Sequence, residues 1–144
     1  MTIVPDDKDW TWVLERQCPD CAFDARTVSV RDIGMITRDV ASQWEVVLGL
    51  PGATVRPRPD VWSASEYGCH VRDVFRLFDE RLVLMLELDD PAFANWDQDA
   101  TAVSERYDQQ DPLIVRRELV VAGDQVAERF DQVSGTQWSR TGRR

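Results

Sequence analysis

The stretch WSASEYGCHVRDVFRLFDERLVLML, residues 62–86, predicts the longest helix of the chain and with it the fold. Ser63 and Glu66 have the S-x-x-E spacing of a capping box, in which each side chain satisfies a free backbone N–H group at the start of a helix. Two aspartates and a proline at residues 89–91 predict where this helix ends. We therefore predict a helix over residues 63–88.

The apolar residues of this helix fall on one broad face when successive residues are rotated by about 100°. The predicted face comprises Tyr67, His70, Val74, Leu77, Phe78, Leu84, Met85 and Leu88. It includes the only histidine of the chain, His70, and it also includes Arg81, whereas Cys69 points roughly 100° away from His70. We predict that His70 faces the interior near one end of the bundle, where it borders a cavity or an opening.

Two other segments have apolar residues at helical spacing. The first covers residues 29–48, between an N-cap at Thr27 or Ser29 and a stop at residues 49–51. The second covers residues 111–134, between an aspartate–proline start and a glycine stop. The predicted stripe of the first helix is Val30, Ile33, Ile36, Val40, Trp44, Val47 and Leu48. The predicted stripe of the last helix is Val115, Leu119, Ala122, Val126, Phe130 and Val133.

These three segments predict an all-α fold, a single up-down helical bundle domain over residues 1–144 with an N-terminal arm (1–27) and the bundle itself (28–144). Long antiparallel helices are expected around one shared core. The wide apolar face of the second helix normally needs a fourth helix, which the short polar end of the chain does not supply. We expect either that the chain continues past Arg144, or that the arm, the connection at residues 89–110 or another subunit of a homodimer covers this face.

Composition narrows the classes of function. Twenty-six acidic and seventeen basic residues give a net charge of -9, which repels nucleic acid and anionic lipid. No apolar run is long enough to span a membrane, and the start of the sequence lacks the basic and apolar segments of a secretory signal. Three cysteines suit a reducing compartment better than a set of disulfides. The sequence therefore predicts an acidic cytoplasmic protein.

The sequence CPDC contains Cys18 and Cys21 at a spacing that turns two sulfur atoms to one side of a tight turn. That arrangement suits half of a tetrahedral zinc site or a redox dithiol. A structural zinc site needs two further ligands, and only Cys69 and His70 remain, which diverge too far on a helix to bind one ion easily. The alternative is two thiols packed in a turn between the arm and the bundle.

Three stretches carry a resemblance to a known family. They are the stretch of residues 62–86, the following DDPAFANWDQDATAVSERYDQQDP and the N-terminal DWTWVLERQCPDCAFDA. Together they resemble the actinobacterial branch of the DinB/YfiT-like superfamily of four-helix-bundle proteins, which is related to the N-terminal domains of mycothiol-dependent maleylpyruvate isomerases. The resemblance implies a metal-dependent enzyme, a transferase or isomerase that uses a low-molecular-weight thiol such as mycothiol. It also implies a metal held by one histidine of the second helix and an H-x-x-x-H pair of the last helix.

His70 matches the first of these ligands, and no other histidine is present to match the pair. A neutral imidazole binds zinc, nickel or iron, but a catalytic metal needs about three protein ligands. Asp73 lies at the edge of the same face, where it could bind the metal or orient the ring. The alternative is a histidine at the edge of the core, hydrogen-bonded to a carboxylate. Arg81 either forms a structural contact or binds the carboxylate of a substrate or cofactor.

Two functions of different classes follow from the sequence. One is the DinB-like enzyme, with a divalent metal at His70 and a low-molecular-weight thiol as cofactor. The other is a non-catalytic helical module that binds a partner or a small apolar ligand in the gap left by the absent helix. An H-x-x-x-H segment encoded past Arg144 would favour the enzyme.

Overall fold

The computed structural model describes Ile3 and residues 9–144, so part of the predicted N-terminal arm lies outside the described residues. Four α-helices follow one another: α1 (Ile33–Leu48), α2 (Ala64–Glu87), α3 (Gln98–Ser104) and α4 (Pro112–Gln132). The described residues form no β-strand and only two isolated β-bridges. The prediction of an all-α fold is confirmed. None of the described helices has the length and apolar character needed to cross a membrane.

Two of the three long helices, α2 and α4, begin where their capping residues predict. Ser63 and Glu66 form both hydrogen bonds of the capping box at the start of α2. Asp111 accepts a hydrogen bond from the backbone N–H of Leu113 at the start of α4. Ser29 caps a short 3-10 turn that precedes α1, so the α-helix itself begins later than predicted. Local side-chain to backbone hydrogen bonds therefore fix the starts of α2 and α4.

The central helix of the bundle is α4, because α1 and α2 both pack along it and hardly touch each other. Small residues bring α1 close: a Cβ atom on Gly123 would lie 2.9 Å from the Cβ of Ala41. One end of this contact is joined by an ion pair between Arg116 and Glu45, at 2.8 Å. Residues further along α1 contact residues of lower number on α4. The two helices are therefore antiparallel, as predicted.

The packing of α2 differs from the prediction, because α2 runs parallel to α4. Arg72 forms an ion pair with Glu118 at 2.8 Å, and Asp79 forms one with Arg129 further along both helices. The connection between the two helices, residues 88–111, leads the chain back to the beginning of α2 before α4 starts. The prediction that all long helices are antiparallel was therefore wrong for this pair.

The buried face of α2 is also rotated from the predicted one. The buried residues of α2 are Ser65, Glu66, Gly68, Cys69, Arg72 and Asp79. Of the predicted face, Tyr67 is 43% exposed and Phe78 is 49% exposed. The prediction failed because Arg72 and Asp79 are buried as members of ion pairs, so the face that packs on α4 does not look apolar in the sequence.

The stripe of α4 was predicted well and that of α1 in part, since Leu48 is buried and Trp44 packs against the core. Of the predicted α4 residues, all but Phe130 are buried, and Phe130 is half-buried. In α1 the buried residues are Gly34, Ala41 and Leu48. Val40 and Val47 of the predicted stripe are each 37% exposed. The close approach of α1 and α4 selects small residues at their contact, and small residues add little to a hydrophobic periodicity.

The connection after α2 and the C-terminal segment cover the outer side of α2. Backbone hydrogen bonds join Phe93 to Arg143 at 2.7 Å and Arg143 to Pro91 at 2.8 Å. Arg140 donates to the backbone oxygen of Leu88 at 2.5 Å, and the same guanidinium reaches Met85. The connection at residues 89–110 was one of the predicted ways of covering this face.

Candidate functional site

His70 lies in the second turn of α2, between two indole rings. The ring centroid of Trp96 is 5.4 Å from that of His70, with the two planes 12° apart. The ring of Trp62 is 5.6 Å away and tilted by 46°. His70 is half-buried, so the imidazole faces the protein and not bulk solvent. The predicted inward orientation of His70 is confirmed, although most of its predicted face was not buried.

Both indole rings are positioned by the starts of helices. Trp62 comes directly before Ser63, the N-cap of α2, and it is 8% exposed. Trp96 comes directly before Asp97, the N-cap of α3, whose carboxylate accepts from the backbone N–H of Ala100 at 2.9 Å. The residue directly before an N-cap enters the helix at an angle that the capping interactions fix. The short helix α3 therefore holds Trp96 over His70.

The imidazole of His70 is kept neutral at physiological pH. Burial lowers its pKa from the ordinary value, and the charges of Asp73 and Asp99 oppose this only in part. The Nδ1 atom is buried and has no hydrogen-bond partner among the described residues. A buried polar atom without a partner costs about 1–3 kcal/mol.

A cavity of about 590 Å³ opens beside His70. Its walls combine aromatic rings and carboxylates: Trp10, Trp62, Tyr67, His70, Asp60 and Asp99. A second cavity, of about 410 Å³, shares Ile3, Trp62 and Asp99 with the first, so the two adjoin. We call the first one the His70 cavity. The prediction that His70 borders a cavity at the beginning of its helix is confirmed.

Asp73 belongs to a polar network in the core. Its carboxylate accepts from Arg72 Nε at 2.8 Å and from the Tyr107 hydroxyl at 2.5 Å. Burial alone would raise the pKa of Asp73, but Arg72 and Tyr107 outweigh it and the pKa is lowered. Arg72 also reaches Gln110 and Glu118, each at 2.8 Å. The side chain of Asp73 therefore joins α2 to the connection through Tyr107, and it holds Arg72, which in turn reaches α4 at Glu118.

The described residues do not supply a complete set of metal donors. Among them, no group of three or more histidine, cysteine, aspartate or glutamate side chains could hold a metal ion. His70 is a suitable ligand, but both oxygens of Asp73 are taken by Arg72 and Tyr107. The donors present in the described part of the chain therefore do not fit the three-ligand site that the resemblance implies.

Arg81 lies outside the His70 cavity. Its guanidinium donates to the backbone oxygen of Ala94 at 3.1 Å and stands over the rings of Phe93, at 5.3 Å, and Phe78, at 5.9 Å. Along α2 it is about 16 Å from His70, at about 1.5 Å per residue. The structure thus places Arg81 among structural contacts, one of the two alternatives that the sequence left open.

Cys18 and Cys21 lie in the N-terminal arm, and neither of them lines the His70 cavity. Cys69 is fully buried in the core of the bundle, and burial raises its pKa to about 11. The structure therefore brings none of the three cysteines together with His70 in one site. This geometry does not support a zinc site that combines Cys18 and Cys21 with Cys69 or His70 of the same chain.

A scan of the sequence against protein-family models finds no matching family, and searches against curated proteins and solved structures find no significant match. The DinB/YfiT-like resemblance consequently remains a prediction from the quoted sequence stretches.

Sequence analysis missed two aromatic residues of the cavity, Trp10 and Trp62. One signal in the sequence could have indicated Trp62: it stands directly before the capping box of α2, where an apolar residue often packs onto the helix as part of a hydrophobic staple. No comparable signal existed for Trp10, which reaches the cavity from the arm.

Proposed function

We propose that this protein is a helical module that binds a small organic molecule in the His70 cavity. The observation that carries the proposal is the cavity itself, about 590 Å³ in volume and walled by the rings of Trp10, Trp62, Tyr67 and His70. Small-molecule sites typically have volumes of about 300–1,000 Å³ and aromatic walls with a few polar groups. The His70 cavity has both properties.

The aromatic walls of the cavity favour a cationic ligand. Arg58, a guanidinium among the described lining residues, is paired with Asp60 at 3.4 Å. His70 adds no positive charge, because burial lowers its pKa. A cation placed over tryptophan or tyrosine rings gains about 0.5–2 kcal/mol. An ammonium group on a compact organic molecule is the chemistry that these walls complement.

The test compares choline with 3,3-dimethylbutan-1-ol, which has the same shape but replaces the charged nitrogen by carbon. Titration by calorimetry and by tryptophan fluorescence at low salt should show choline binding about 2- to 30-fold more tightly. Trp10→Leu should weaken choline binding, whereas Trp138→Leu, which alters the stacked pair with Phe130 away from the cavity, should not.

Three outcomes are distinguishable. Equal binding of both probes would retain the cavity as a ligand site but contradict its preference for cations. Choline binding that Trp10→Leu leaves unchanged would place the ligand elsewhere. Absence of binding by either probe, and by larger tetraalkylammonium and benzylammonium ions, would overturn the proposed function.

The metal-dependent transferase or isomerase implied by the DinB resemblance is a second proposal. It is supported by the neutral imidazole of His70 at the wall of a cavity. Calorimetric titration with zinc and with nickel tests it directly: one metal per chain, lost in His70→Ala and retained in Asp73→Asn, would favour it. If the intact chain binds neither metal, the result counts against the metal-dependent enzyme. The choline proposal is tested separately and does not depend on that result.

A further inference from the structure

The CPDC sequence forms a closed turn in the N-terminal arm. The backbone N–H of Cys18 donates to the oxygen of Phe23 at 2.8 Å, and the N–H of Ala22 donates to the oxygen of Cys18 at 2.9 Å. The side-chain amide of Gln17 donates to the oxygen of Ala22, also at 2.9 Å. Ala22 has a φ of 61°, a left-handed conformation that reverses the chain directly after Cys21. These hydrogen bonds hold Cys18 and Cys21 on one short, ordered loop.

The two sulfur atoms have different surroundings. Cys18 is partly covered, whereas Cys21 is exposed to solvent. The backbone N–H of Cys21, the backbone N–H of Asp20 and the side chain of Cys21 all lower the pKa of Cys18, and they outweigh the opposing effects of burial and of the Asp20 charge. Backbone N–H groups that face a sulfur atom stabilise the thiolate over the thiol. The surroundings of Cys18 thus favour its nucleophilic thiolate form, and Cys21 is its solvent-exposed neighbour.

The turn does not belong to a larger cluster of ligands within the described part of the chain. No group of three or more histidine, cysteine, aspartate or glutamate side chains there could bind a metal. Cys69 is fully buried in the bundle core and has no access to solvent. Chemistry at Cys18 and Cys21 therefore concerns these two thiols alone, and it is independent of the proposed ligand site at His70.

We propose that Cys18 and Cys21 form a redox-active dithiol that exchanges with low-molecular-weight disulfides. In the first step the Cys18 thiolate attacks one sulfur of the disulfide R–S–S–R. A mixed disulfide forms between Cys18 and one R–S group, and the other R–S group leaves as a thiolate that takes up a proton from water. In the second step Cys21, after losing its proton to water, attacks the sulfur of Cys18. The Cys18–Cys21 disulfide forms, and the second R–S group leaves as a thiolate and is protonated. The balance is two protein thiols oxidised and one small disulfide reduced to two thiols.

The experiment uses the full chain, reduced and then exposed to oxidised glutathione. Intact-mass spectrometry of the native chain should show a loss of two hydrogens, located by peptide mapping to the bond between Cys18 and Cys21. Cys21→Ser should instead accumulate the glutathione mixed disulfide on Cys18, because the second step is blocked. Cys18→Ser should form its mixed disulfide on Cys21 at least about threefold more slowly, because the sulfur atom stabilised as a thiolate by backbone N–H groups has been removed.

Cys69→Ser is the matched control, and it should behave as the native chain does. Circular dichroism of the Cys18 and Cys21 variants should be unchanged, because the turn is outside the bundle, and the same measurement checks that Cys69→Ser, a substitution in the core, remains folded. Alkylation by iodoacetamide as a function of pH, measured on Cys21→Ser and Cys18→Ser in the Cys69→Ser background, gives an independent readout. Cys18 should react with a midpoint below about 8.5, the ordinary pKa of a thiol.

Three results would overturn the proposal. The first is equal rates of mixed-disulfide formation at Cys18 and Cys21 in the single variants. The second is a native chain that keeps the glutathione adduct and never forms the internal disulfide. The third is one zinc ion per chain that is retained through purification and protects both thiols from glutathione and iodoacetamide.

Discussion

The indole of Trp96 lies almost parallel to the imidazole of His70, with the ring planes 12° apart and the centroids 5.4 Å apart. The two residues meet because the connection after α2 turns back along that helix and reaches its second turn before α4 begins. The same return path brings Tyr107 to Asp73. The candidate site is therefore formed jointly by the start of α2 and by a segment distant from it in sequence.

Removal of Trp96 should raise the pKa of His70. In Trp96→Ala the imidazole gains contact with water, and burial, the largest cause of its lowered pKa, is reduced. His70 is the only histidine, so its ring protons can be followed by NMR through a pH titration without assignment problems. The midpoint should move up toward about 6.5. Trp138→Ala is the control and should leave the midpoint where it is, and an unchanged midpoint in Trp96→Ala would contradict the packing described here.

His70 should make the protein less stable as the pH falls below about 6.5. The lowered pKa means that the unfolded chain takes up a proton that folded His70, flanked by Asp73 and Asp99, does not. The stability contribution is complete above the ordinary pKa and decreases as the pH falls toward the folded pKa, with a slope of at most about 1.4 kcal/mol per pH unit. Urea unfolding between pH 7.5 and 5.5 measures it. His70→Gln should have a shallower slope in this range, where carboxylates such as Asp73 remain ionised.

Loss of the Tyr107 hydroxyl should destabilise the protein. Tyr107 is 1% exposed and donates to the Asp73 carboxylate at 2.5 Å. Hydrogen bonds to charged groups contribute about 1.5–3 kcal/mol, so Tyr107→Phe should lower the free energy of unfolding by about that amount. Tyr67→Phe is the matched control, because Tyr67 is 43% exposed and keeps its ring contact with Trp62. Urea denaturation measures the free energy of unfolding of both variants. Equal losses in Tyr107→Phe and Tyr67→Phe would refute a special role for the Tyr107 hydroxyl.

The fold was predictable where local rules determine it. The capping box of Ser63 and Glu66 and the start of α4 at Asp111 and Pro112 are short-range patterns, and the structure contains them as predicted. The rotation of α2 was not predictable from hydrophobic spacing, because Arg72 and Asp79 are buried through partners on α4. Pairing between distant residues reverses the usual rule that charged side chains lie outside.

The candidate site was predictable only in part, for the same reason. His70 was identifiable as the one histidine on an inward-facing part of a helix, and its cavity was expected. The other walls come from the arm, from the connection between α1 and α2 and from the returning connection, and none of these segments carries a periodic pattern that reports where it packs. The polar network of Asp73 shows the same limit, since its partner Tyr107 lies in a short 3-10 turn of the returning connection. Residues near a helix start were accessible to sequence reasoning, and those brought by long-range packing were not.

The contact between α1 and α4 should not tolerate a methyl group at Gly123. A Cβ atom there would be 2.9 Å from the Cβ of Ala41 and 3.2 Å from the ring of Phe75. Alanine is favoured over glycine in a helix by about 1 kcal/mol, but overpacking of this kind costs about 1–3 kcal/mol. Because the backbones of two long helices must separate to relieve the contact, Gly123→Ala should lower the free energy of unfolding.

A double-mutant cycle separates the higher helix propensity of alanine from the cost of overpacking at Gly123. Ala41→Gly removes the atom that the new methyl group would strike, so Gly123→Ala should be less destabilising in that background than in the native chain. The difference between the two backgrounds, measured by urea denaturation, should be at least about 0.5 kcal/mol, as expected for residues in direct contact. Strict additivity of the two substitutions would show that α1 and α4 are further apart at this point than the structure places them.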